Sequence, residues 1–322
     1  MLCPVCRSPC TDPPLYRYTA TQAAAHFCPP TRDASRNARL VACISRLWGQ
    51  DSCEILRCKA CGFAFGNPFV GGDEEFYGIR HETKDYPGWH WDYDVAMAGA
   101  IAPLGGGSIL EIGAGVGTFL ASLGSKWQTY AVEASESNRA DLAKRGIAVV
   151  RDLAAEVAAG RGTFQAVVLF QTLEHIAEFK TVLAQCRELL APDGRLVLTV
   201  PHCDAMLDQE RILGWPDMPP NHINKFTPES LTRALSDAGF TAGPKIDEPS
   251  SWLLARHAVF MSVQADAMKE GSLASAAYRL SSDALRRAAL MVLGVGAFVR
   301  LLPYPAELQR GRSFGMVASP RQ

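Results

Sequence analysis

The chain has 322 residues, of which 48% are hydrophobic, and its formal net charge is −1. This length allows one large domain and a smaller one, and the balance of 32 basic and 33 acidic residues excludes a global attraction to nucleic acid. The first residues, Met1 to Pro4, do not place a basic segment before an apolar one, so no signal peptide is predicted. We therefore expect a soluble, cytoplasmic protein whose cysteines are reduced thiols or metal ligands.

Cysteines mark a small module over residues 1–75. Eight of the ten cysteines precede residue 62, and two pairs, Cys3/Cys6 and Cys58/Cys61, have C-x-x-C spacing. Two such pairs predict a zinc-ribbon-like module in which four thiolates hold a structural Zn²⁺, with residues 11–50 as an insertion. Cys10 or Cys53 could replace one of these ligands. Free structural cysteines and a redox C-x-x-C are the alternative interpretations.

The next segment, residues 76–100, is a linker rich in aromatic side chains. These rings either cover a cationic or sugar ligand as a lid, or fasten the small module to the large domain. Binding of single-stranded nucleic acid is disfavoured, because Arg80 and Lys84 are offset by four nearby acidic residues. The ring-bearing residues are Tyr77, His81, Tyr86, Trp89, His90, Trp91 and Tyr93.

A glycine-rich turn follows the apolar run that ends at Glu111. Gly113, Gly115 and Gly117 alternate with other residues, a pattern that predicts a strand, a tight turn and a helix start. A dinucleotide fingerprint needs its third glycine where Thr118 stands, so a pyrophosphate ligand is disfavoured. The acidic Glu111 suits a cationic ligand better.

Further strands alternate with helices. Residues 129–133, 147–150, 166–170 and 195–201 read as strands, a helix is predicted over 177–190, and residues 191–194 form a turn signal. The alternation predicts a doubly wound parallel sheet with a ligand site at the carboxyl ends of its strands. Four polar residues from separate strands should converge there: Glu111, Glu133, Gln171 and His202. Glu133 follows the first glycine by about 20 residues, the spacing of a ribose-binding acid.

Two of these segments carry a family resemblance. The pattern E-x-G-x-G-x-G from Glu111 resembles motif I of class I S-adenosylmethionine (SAM) dependent methyltransferases, and residues 171–176 resemble their motif IV in its LEHI form. Residues 61–68, followed by Tyr77, resemble a zinc-binding segment that precedes some bacterial domains of this class. The insertion in this chain is longer than that segment usually has.

The resemblance implies a Rossmann-like, doubly wound, seven-stranded α/β sheet over residues 101–322. It also implies a set of SAM-binding residues: Glu111, Gly113, Ala114, Gly115, Gly117, Thr118, Phe119, Glu133, Ala134, Asp152, Leu153, Phe170, Gln171 and Tyr77.

Histidines near strand ends are candidates for a general base. His222, His202 and His175, in that order of preference, could remove a proton from an acceptor hydroxyl, because imidazole titrates near neutral pH. Each of them could instead be a structural hydrogen-bonding residue.

The C-terminal part is predicted to complete the sheet around a helical insertion. A sixth strand is expected near residues 241–247, a seventh over 313–318, and helices over about 252–302. The apolar run 288–299 is shorter than the about 20 residues that span a bilayer. A buried helix that covers the sheet is favoured, with an acceptor cover, a dimer face or an interfacial helix for a lipid-linked substrate as alternatives.

The predicted function is methyl transfer from SAM to a small-molecule acceptor, such as a sugar, natural-product or glycan intermediate, at oxygen. C- or N-methylation by the same class, an RNA methyltransferase, and a SAM-sensing zinc-ribbon protein without catalysis are the alternatives.

Overall fold

The computed structural model describes residues 1–80, 82, 88–159, 164–269 and 271–321. His81 and Tyr86 of the aromatic linker lie outside the described residues. The strands, in chain order, are β1 (Tyr16–Thr19), β2 (Ser52–Arg57), β3 (Ala64–Asn67), β4 (Gly107–Ile112), β5 (Trp127–Val132), β6 (Ala148–Val150), β7 (Phe164–Phe170), β8 (Leu190–Pro201), β9 (Asn224–Lys225), β10 (Phe240–Ala242), β11 (Ile246–Asp247) and β12 (Ser313–Pro320).

Helices connect and cover these strands. They are α1 (Ala20–Phe27), α2 (Ala34–Trp48), α3 (Glu74–Arg80), α4 (Trp91–Ala96), α5 (Ala102–Leu104), α6 (Thr118–Ala121), α7 (Glu136–Lys144), α8 (Leu153–Ala158), α9 (Phe179–Leu189), α10 (Cys203–Leu213), α11 (Pro228–Asp237), α12 (Trp252–Ala267), α13 (Leu273–Tyr278) and α14 (Asp283–Arg300). A π-helical turn (Met97–Ile101) joins α4 to α5, and 3₁₀ turns form at Leu173–His175 and Ala306–Leu308.

The large sheet has the strand order β10-β12-β8-β7-β4-β5-β6, and β11 also pairs with β12. Strands β4 to β8 are parallel, whereas β12 runs antiparallel to both β8 and β10. Strand β7 is almost wholly buried, as its continuous apolar run predicts. The order confirms the predicted Rossmann-like methyltransferase sheet and brings the carboxyl ends of β4, β5, β7 and β8 to one edge.

The turn predicted over residues 191–194 lies inside a strand rather than before one. Residues 191–194 do not separate a helix from a later strand, because β8 already begins at Leu190. Phe164 pairs with Leu190, but Ala166 pairs with Arg195, so residues 191–194 bulge out of the ladder. The turn signal therefore marks an irregularity inside the strand.

The small N-terminal sheet is joined to the large domain by its own pairing. Its order is β1-β2-β3-β9, and all its pairs are antiparallel. Strand β9 lies beyond β8 in the chain, so the second half of the chain completes the first sheet. Phe63 and Phe65 also pack in the same core cluster as the β7 and β8 side chains.

The helical insertion forms as predicted, but the burial expected for its apolar run is wrong. Helix α14 packs against α12 and α13 through a small cluster around Ala297 and Val263. Its other side is exposed: Met291 is 72% exposed and Val292 is 71% exposed. The hydrophobic content of the run predicted burial, whereas α12 and α13 cover only one side of α14. Among the described residues, no helix is long and apolar enough to cross a membrane.

Candidate active site and metal centre

The two C-x-x-C pairs come together as predicted. The Sγ atoms of Cys3, Cys6, Cys58 and Cys61 all lie within 4.8 Å of one another. Burial disfavours the charged form of Cys6, but hydrogen bonds that involve Ser8 lower the pKa of its thiol to about 6. Four close thiols suit a tetrahedral Zn²⁺ and leave no open coordination position.

The leftover cysteines lie outside this set. Cys10 directs its thiol towards the Ser8 carbonyl at 3.9 Å, and Cys53 is buried in β2. Burial raises the pKa of the Cys53 thiol to about 12, which keeps it protonated. The four predicted thiols are the group that lies mutually within 4.8 Å, whereas Cys10 borders this group beside Cys58 and Cys53 is buried apart from it.

The glycine-rich turn lies at the end of β4, where the sequence placed it. Gly113, Gly115 and Gly117 have φ values of +82°, +55° and +74°, in the left-handed region that favours glycine. A Cβ on Gly113 would lie 2.4 Å from the Thr172 Oγ1 atom, so the β4 turn and the β7 turn approach too closely for any side chain. Gly117 precedes α6, whose Phe119 is buried.

Glu133, at the end of β5, connects this turn to the next one. Its carboxylate accepts hydrogen bonds from the Gly115 N–H and the Ser135 N–H, both at 2.8 Å. A carboxylate has about four acceptor positions, so it can also accept from ribose hydroxyls. Glu111 lies behind the turn, 3% exposed, and burial followed by repulsion from Glu133 raises the pKa of its carboxyl well above its ordinary value.

A cavity of about 930 Å³ opens at this edge of the sheet. Many of the predicted cofactor residues line it: Gly113, Gly115, Glu133, Ala134, Phe170, Gln171 and Tyr77. Ala114, Thr118 and Phe119 form the turn and the helix beneath it. Asp152 and Leu153 are not among the residues that line this cavity. Asp152 caps α8 by accepting a hydrogen bond from the Ala154 N–H, and Leu153 packs against the core.

Gln171 has a backbone conformation that is unusual for its residue type. Its φ is +46°, and its side-chain amide donates to the buried Asp92 carboxylate at 3.1 Å. Left-handed backbone at a residue other than glycine often marks a functional turn. This turn directs the motif IV segment into the cavity.

The aromatic linker serves two purposes. Tyr93 packs its ring against Phe119 and Phe170, which fastens α4 to the sheet. Tyr77 instead lines the cavity, and its ring meets the His175 ring edge-to-face at 5.9 Å. The structure thus supports fastening for Tyr93 and a wall of the ligand cavity for Tyr77.

His175 and His222 lie together in the same cavity as the glycine turn. Their ring centroids are 4.7 Å apart, and both residues line the cavity. The Asn221 carbonyl lies 2.7 Å from His175 Nδ1, and an Asp217 carboxylate oxygen lies 2.5 Å from His222 Nδ1. Burial, and then the nearby His222, lower the pKa of His175 to about 3, so its ring is neutral.

His202 lies elsewhere. It is the N-cap of α10, where its Nδ1 accepts from the Asp204 N–H, and its ring packs on Phe314. It is not among the residues that line the cavity of about 930 Å³. The placement of His202 therefore does not support a role as base.

Three important polar residues of this site were not predicted: Asp217, Lys225 and Glu174. Asp217 is held by His222 and by Lys225, whose Nζ lies 2.7 Å from the second carboxylate oxygen. Burial opposes its charge, but these two partners hold the pKa of Asp217 well below its usual range. Glu174 is fully buried, and burial raises the pKa of its carboxyl well above the ordinary value.

Glu174 completes a compact group with the two histidines. Its Oε1 atom lies 3.8 Å from His175 Nε2 and 4.0 Å from His222 Nε2, too far for direct hydrogen bonds. Because the Nδ1 atoms already have partners, each Nε2 atom presents a lone pair to the cavity. The lowered pKa of His175 makes its ring a weak proton acceptor, which leaves His222 as the candidate base.

Residues 90–242 match the family model of a methyltransferase domain, a little under half of the chain. The ubiquinone biosynthesis O-methyltransferase of Bradyrhizobium diazoefficiens is 30% identical over 149 residues, which cover 42% of this chain and 58% of that protein. The chain thus matches little more than half the length of this relative. The match over residues 90–242 agrees with the predicted methyltransferase domain.

Solved structures of methyltransferases are also similar to this chain. A SAM-dependent methyltransferase from Archaeoglobus fulgidus is 15% identical, with a TM-score of 0.46, and the match covers 71% of this chain and 92% of that one. The 1,6-didemethyltoxoflavin-N1-methyltransferase of Burkholderia thailandensis is 20% identical, with a TM-score of 0.41, and the match covers 72% and 79%. The fold assignment itself rests on the strand order.

Proposed function

We propose that the protein transfers a methyl group from SAM to an oxygen atom of a small-molecule acceptor. The observation that carries this proposal is one cavity lined by two unlike groups of residues, which we call its first and second walls. The first wall comprises Gly113, Gly115 and Glu133 at the ends of β4 and β5, and the second comprises His175 and His222. A cofactor on the first wall would face a base on the second, so that positioning alone would supply much of the acceleration.

The residues of the first wall fit SAM. The carboxylate of Glu133 is fixed by two backbone N–H groups, and the Gly113 turn leaves no room for a side chain. Bound SAM would supply an electrophilic methyl group. The acidic residues Glu74, Glu136 and Glu178 also line the cavity, which favours a cationic ligand over a pyrophosphate.

His222 is the base in this proposal. The Asp217 carboxylate accepts a hydrogen bond from the Nδ1–H group, and this bond leaves Nε2 as the proton acceptor. The buried ion pair between Asp217 and Lys225 holds the carboxylate in place. Asp217 therefore orients the ring in the way that a carboxylate orients the histidine of a nucleophile–base–acid triad.

The test uses methyl-labelled SAM and metabolite fractions from the host, with mass analysis of labelled products. His222→Ala should lower turnover about 10²- to 10⁴-fold and leave SAM binding intact. Glu188→Gln, an exposed change on α9, is the matched control. Unchanged turnover in His222→Ala would remove this base, and a loss confined to His202→Ala would move the assignment there.

The same experiment separates the alternative functions. A label on carbon or nitrogen identifies C- or N-methylation. Tight SAM binding without transfer to any fraction supports a SAM sensor, and a salt-sensitive RNA mobility shift supports an RNA methyltransferase.

The cysteine cluster completes the proposal as a structural Zn²⁺ site in a cytoplasmic protein. Reduced thiols at close range bind Zn²⁺ strongly, and a closed site stabilises the small sheet rather than taking part in methyl transfer.

The exposed side of α14 supports contact with an anionic membrane surface that carries a lipid-linked acceptor. This apolar face comprises Met291, Val292, Val295, Phe298 and Val299. Arginines lie at both ends of the helix, so charge and hydrophobicity together suit an interfacial position.

Cosedimentation with phosphatidylglycerol vesicles tests the contact, with phosphatidylcholine vesicles as the comparison. Val295→Glu should abolish binding to the anionic vesicles. Dimerisation in ultracentrifugation, without vesicle binding, would show that a second copy covers the face instead.

A further inference from the structure

A second cavity, of about 600 Å³, opens beside the first one. The two cavities share Arg80, Asn221 and His222 as lining residues. A ligand in the second cavity can therefore reach the proposed base without leaving the protein. We call this space the arginine cavity, because Arg32, Arg36, Arg80 and Arg312 line it.

The arginine cavity is strongly basic. Asp217 is the acidic residue among its described lining residues, and its carboxylate is already bound to His222 and Lys225. Burial and Arg312 lower the pKa of His257 to about 4, which keeps that ring neutral in a positive environment. The lining therefore carries four arginines and one committed carboxylate, while Glu82 lies 3.8 Å from Arg36 and Glu248 accepts from the Arg312 backbone N–H just outside it.

Its arginines differ in what they can offer a ligand. Arg36 is 6% exposed and donates to the Ile79 and Arg80 carbonyls, so it serves the structure. Arg312 is half-buried; among the residues that the structure describes, its Nε atom has no hydrogen-bond partner, and its Nη1 donates to the Met261 sulfur at 3.9 Å. Arg32 lies at the exposed mouth of the cavity.

A buried imidazole points to a ligand as well. Nδ1 of His26 is buried without a hydrogen-bond partner in the described part of the chain, and its ring packs on Trp215 with centroids 4.4 Å apart. A buried polar atom without a partner costs free energy unless a ligand or water satisfies it. Trp215, Phe27 and Met261 supply apolar walls for the organic part of such a ligand.

We infer that the methyl acceptor carries a phosphate or carboxylate group and that the arginine cavity binds this group. Arg312 and Arg32 provide guanidinium groups, which bind planar or tetrahedral oxyanions through paired hydrogen bonds. The inference rests on the proposed function, since it assigns the first cavity to SAM and the second to the acceptor. The two cavities then match their ligands in charge: acidic lining for the cationic cofactor and basic lining for the anionic acceptor.

Calorimetry of the whole protein tests the cavity directly. Inorganic pyrophosphate and succinate are titrated separately into protein that is saturated with S-adenosylhomocysteine. We expect at least one of the two anions to bind and its affinity to fall about tenfold or more in Arg312→Gln. Arg32→Gln, on the exposed mouth, should weaken binding without any risk to folding.

Arg310→Gln is the matched control, because Arg310 is nearby but points to an ion pair with Asp208. Affinity for the anion should not change in this variant. Absence of anion binding to the wild-type protein would overturn the inference, and so would equal losses in Arg310→Gln and Arg312→Gln. Binding of S-adenosylhomocysteine is measured in the same samples, so failure of the cofactor site is seen separately.

The labelled product from the host fractions gives the second arm. It should be retained on an anion-exchange resin, and loss of retention after phosphatase treatment identifies a phosphate, whereas persistent retention identifies a carboxylate. A labelled product that passes through the resin would overturn the inference while leaving methyl transfer intact.

Discussion

Replacement of Glu133 by glutamine tests the cofactor site at the group that organises it. Both carboxylate oxygens accept a backbone N–H at 2.8 Å, one from Gly115 and one from Ser135. In Glu133→Gln one of these oxygens becomes an NH₂ group, which cannot accept. One N–H therefore loses its partner, and the negative charge that faces a cationic cofactor disappears.

Glutamine also offers the ribose hydroxyls one acceptor oxygen fewer, and the expected loss of affinity follows from that lost contact with the cofactor. A hydrogen bond to a charged group contributes about 1.5–3 kcal/mol, which corresponds to an affinity loss of about 10- to 100-fold. Calorimetric titration with SAM and with S-adenosylhomocysteine measures it. The loss should appear for both ligands, because they share the ribose.

Glu188→Gln on α9 serves as the control and should bind SAM like the wild type. Thermal unfolding of each variant shows whether the fold is intact. If Glu133→Gln kept the fold and the wild-type affinity, Glu133 would not be a ribose-binding residue and the assignment of this wall would be refuted.

Three further outcomes are expected. Gly115→Val should abolish SAM binding, because a β-branched residue does not tolerate the φ of +55°; unchanged affinity in a titration would refute the cofactor assignment. Metal analysis of unchelated protein should find about one zinc per chain, lost in Cys58→Ser but kept in Cys53→Ser; a zinc content well under one in the wild type would refute the site. Burial first, and then nearby positive charges, lower the pKa of His26 to about 4 in the folded state, below the unfolded value of about 6.5. The free energy of unfolding is therefore highest at neutral pH and falls by up to about 2 kcal/mol between pH 7 and 5. Urea unfolding at several pH values should show that this free energy depends less on pH in His26→Phe than in the wild type. Equal pH dependence in the two proteins would contradict the neutral, buried ring.

Local patterns were sufficient for the cofactor half of the site. The glycines of the β4 turn, Glu133 and the motif IV segment are each close to a strand in the chain, and the strand order fixes where parallel strands end. Gly113, Glu133 and Gln171 therefore meet at one cavity, as expected. The paired C-x-x-C motifs also came together, because each pair is a short hairpin with two thiols on one side.

The half that we propose for the acceptor depends on distant parts of the chain. Nothing in the sequence around Asp217 shows that it contacts His222 and Lys225. The sequence shows that His202 follows a strand, but only the position of α10 shows that it is the N-cap of that helix. The arginine cavity is lined by residues of α1, α2, α12 and the segment before β12, so no local motif predicts it. Likewise, β9 joins the small sheet only after the chain has returned from β8.

The sequence by itself determined the class of sheet, the turn that fits SAM and the four thiols that fit zinc, because backbone conformation and spacing over a few residues specify these features. Only the tertiary structure decided which histidine has a carboxylate partner, which side of α14 is exposed and where basic charge accumulates. Those properties arise from contacts between segments far apart in the chain, and burial and charge neutralisation are set by all the neighbours of a group together.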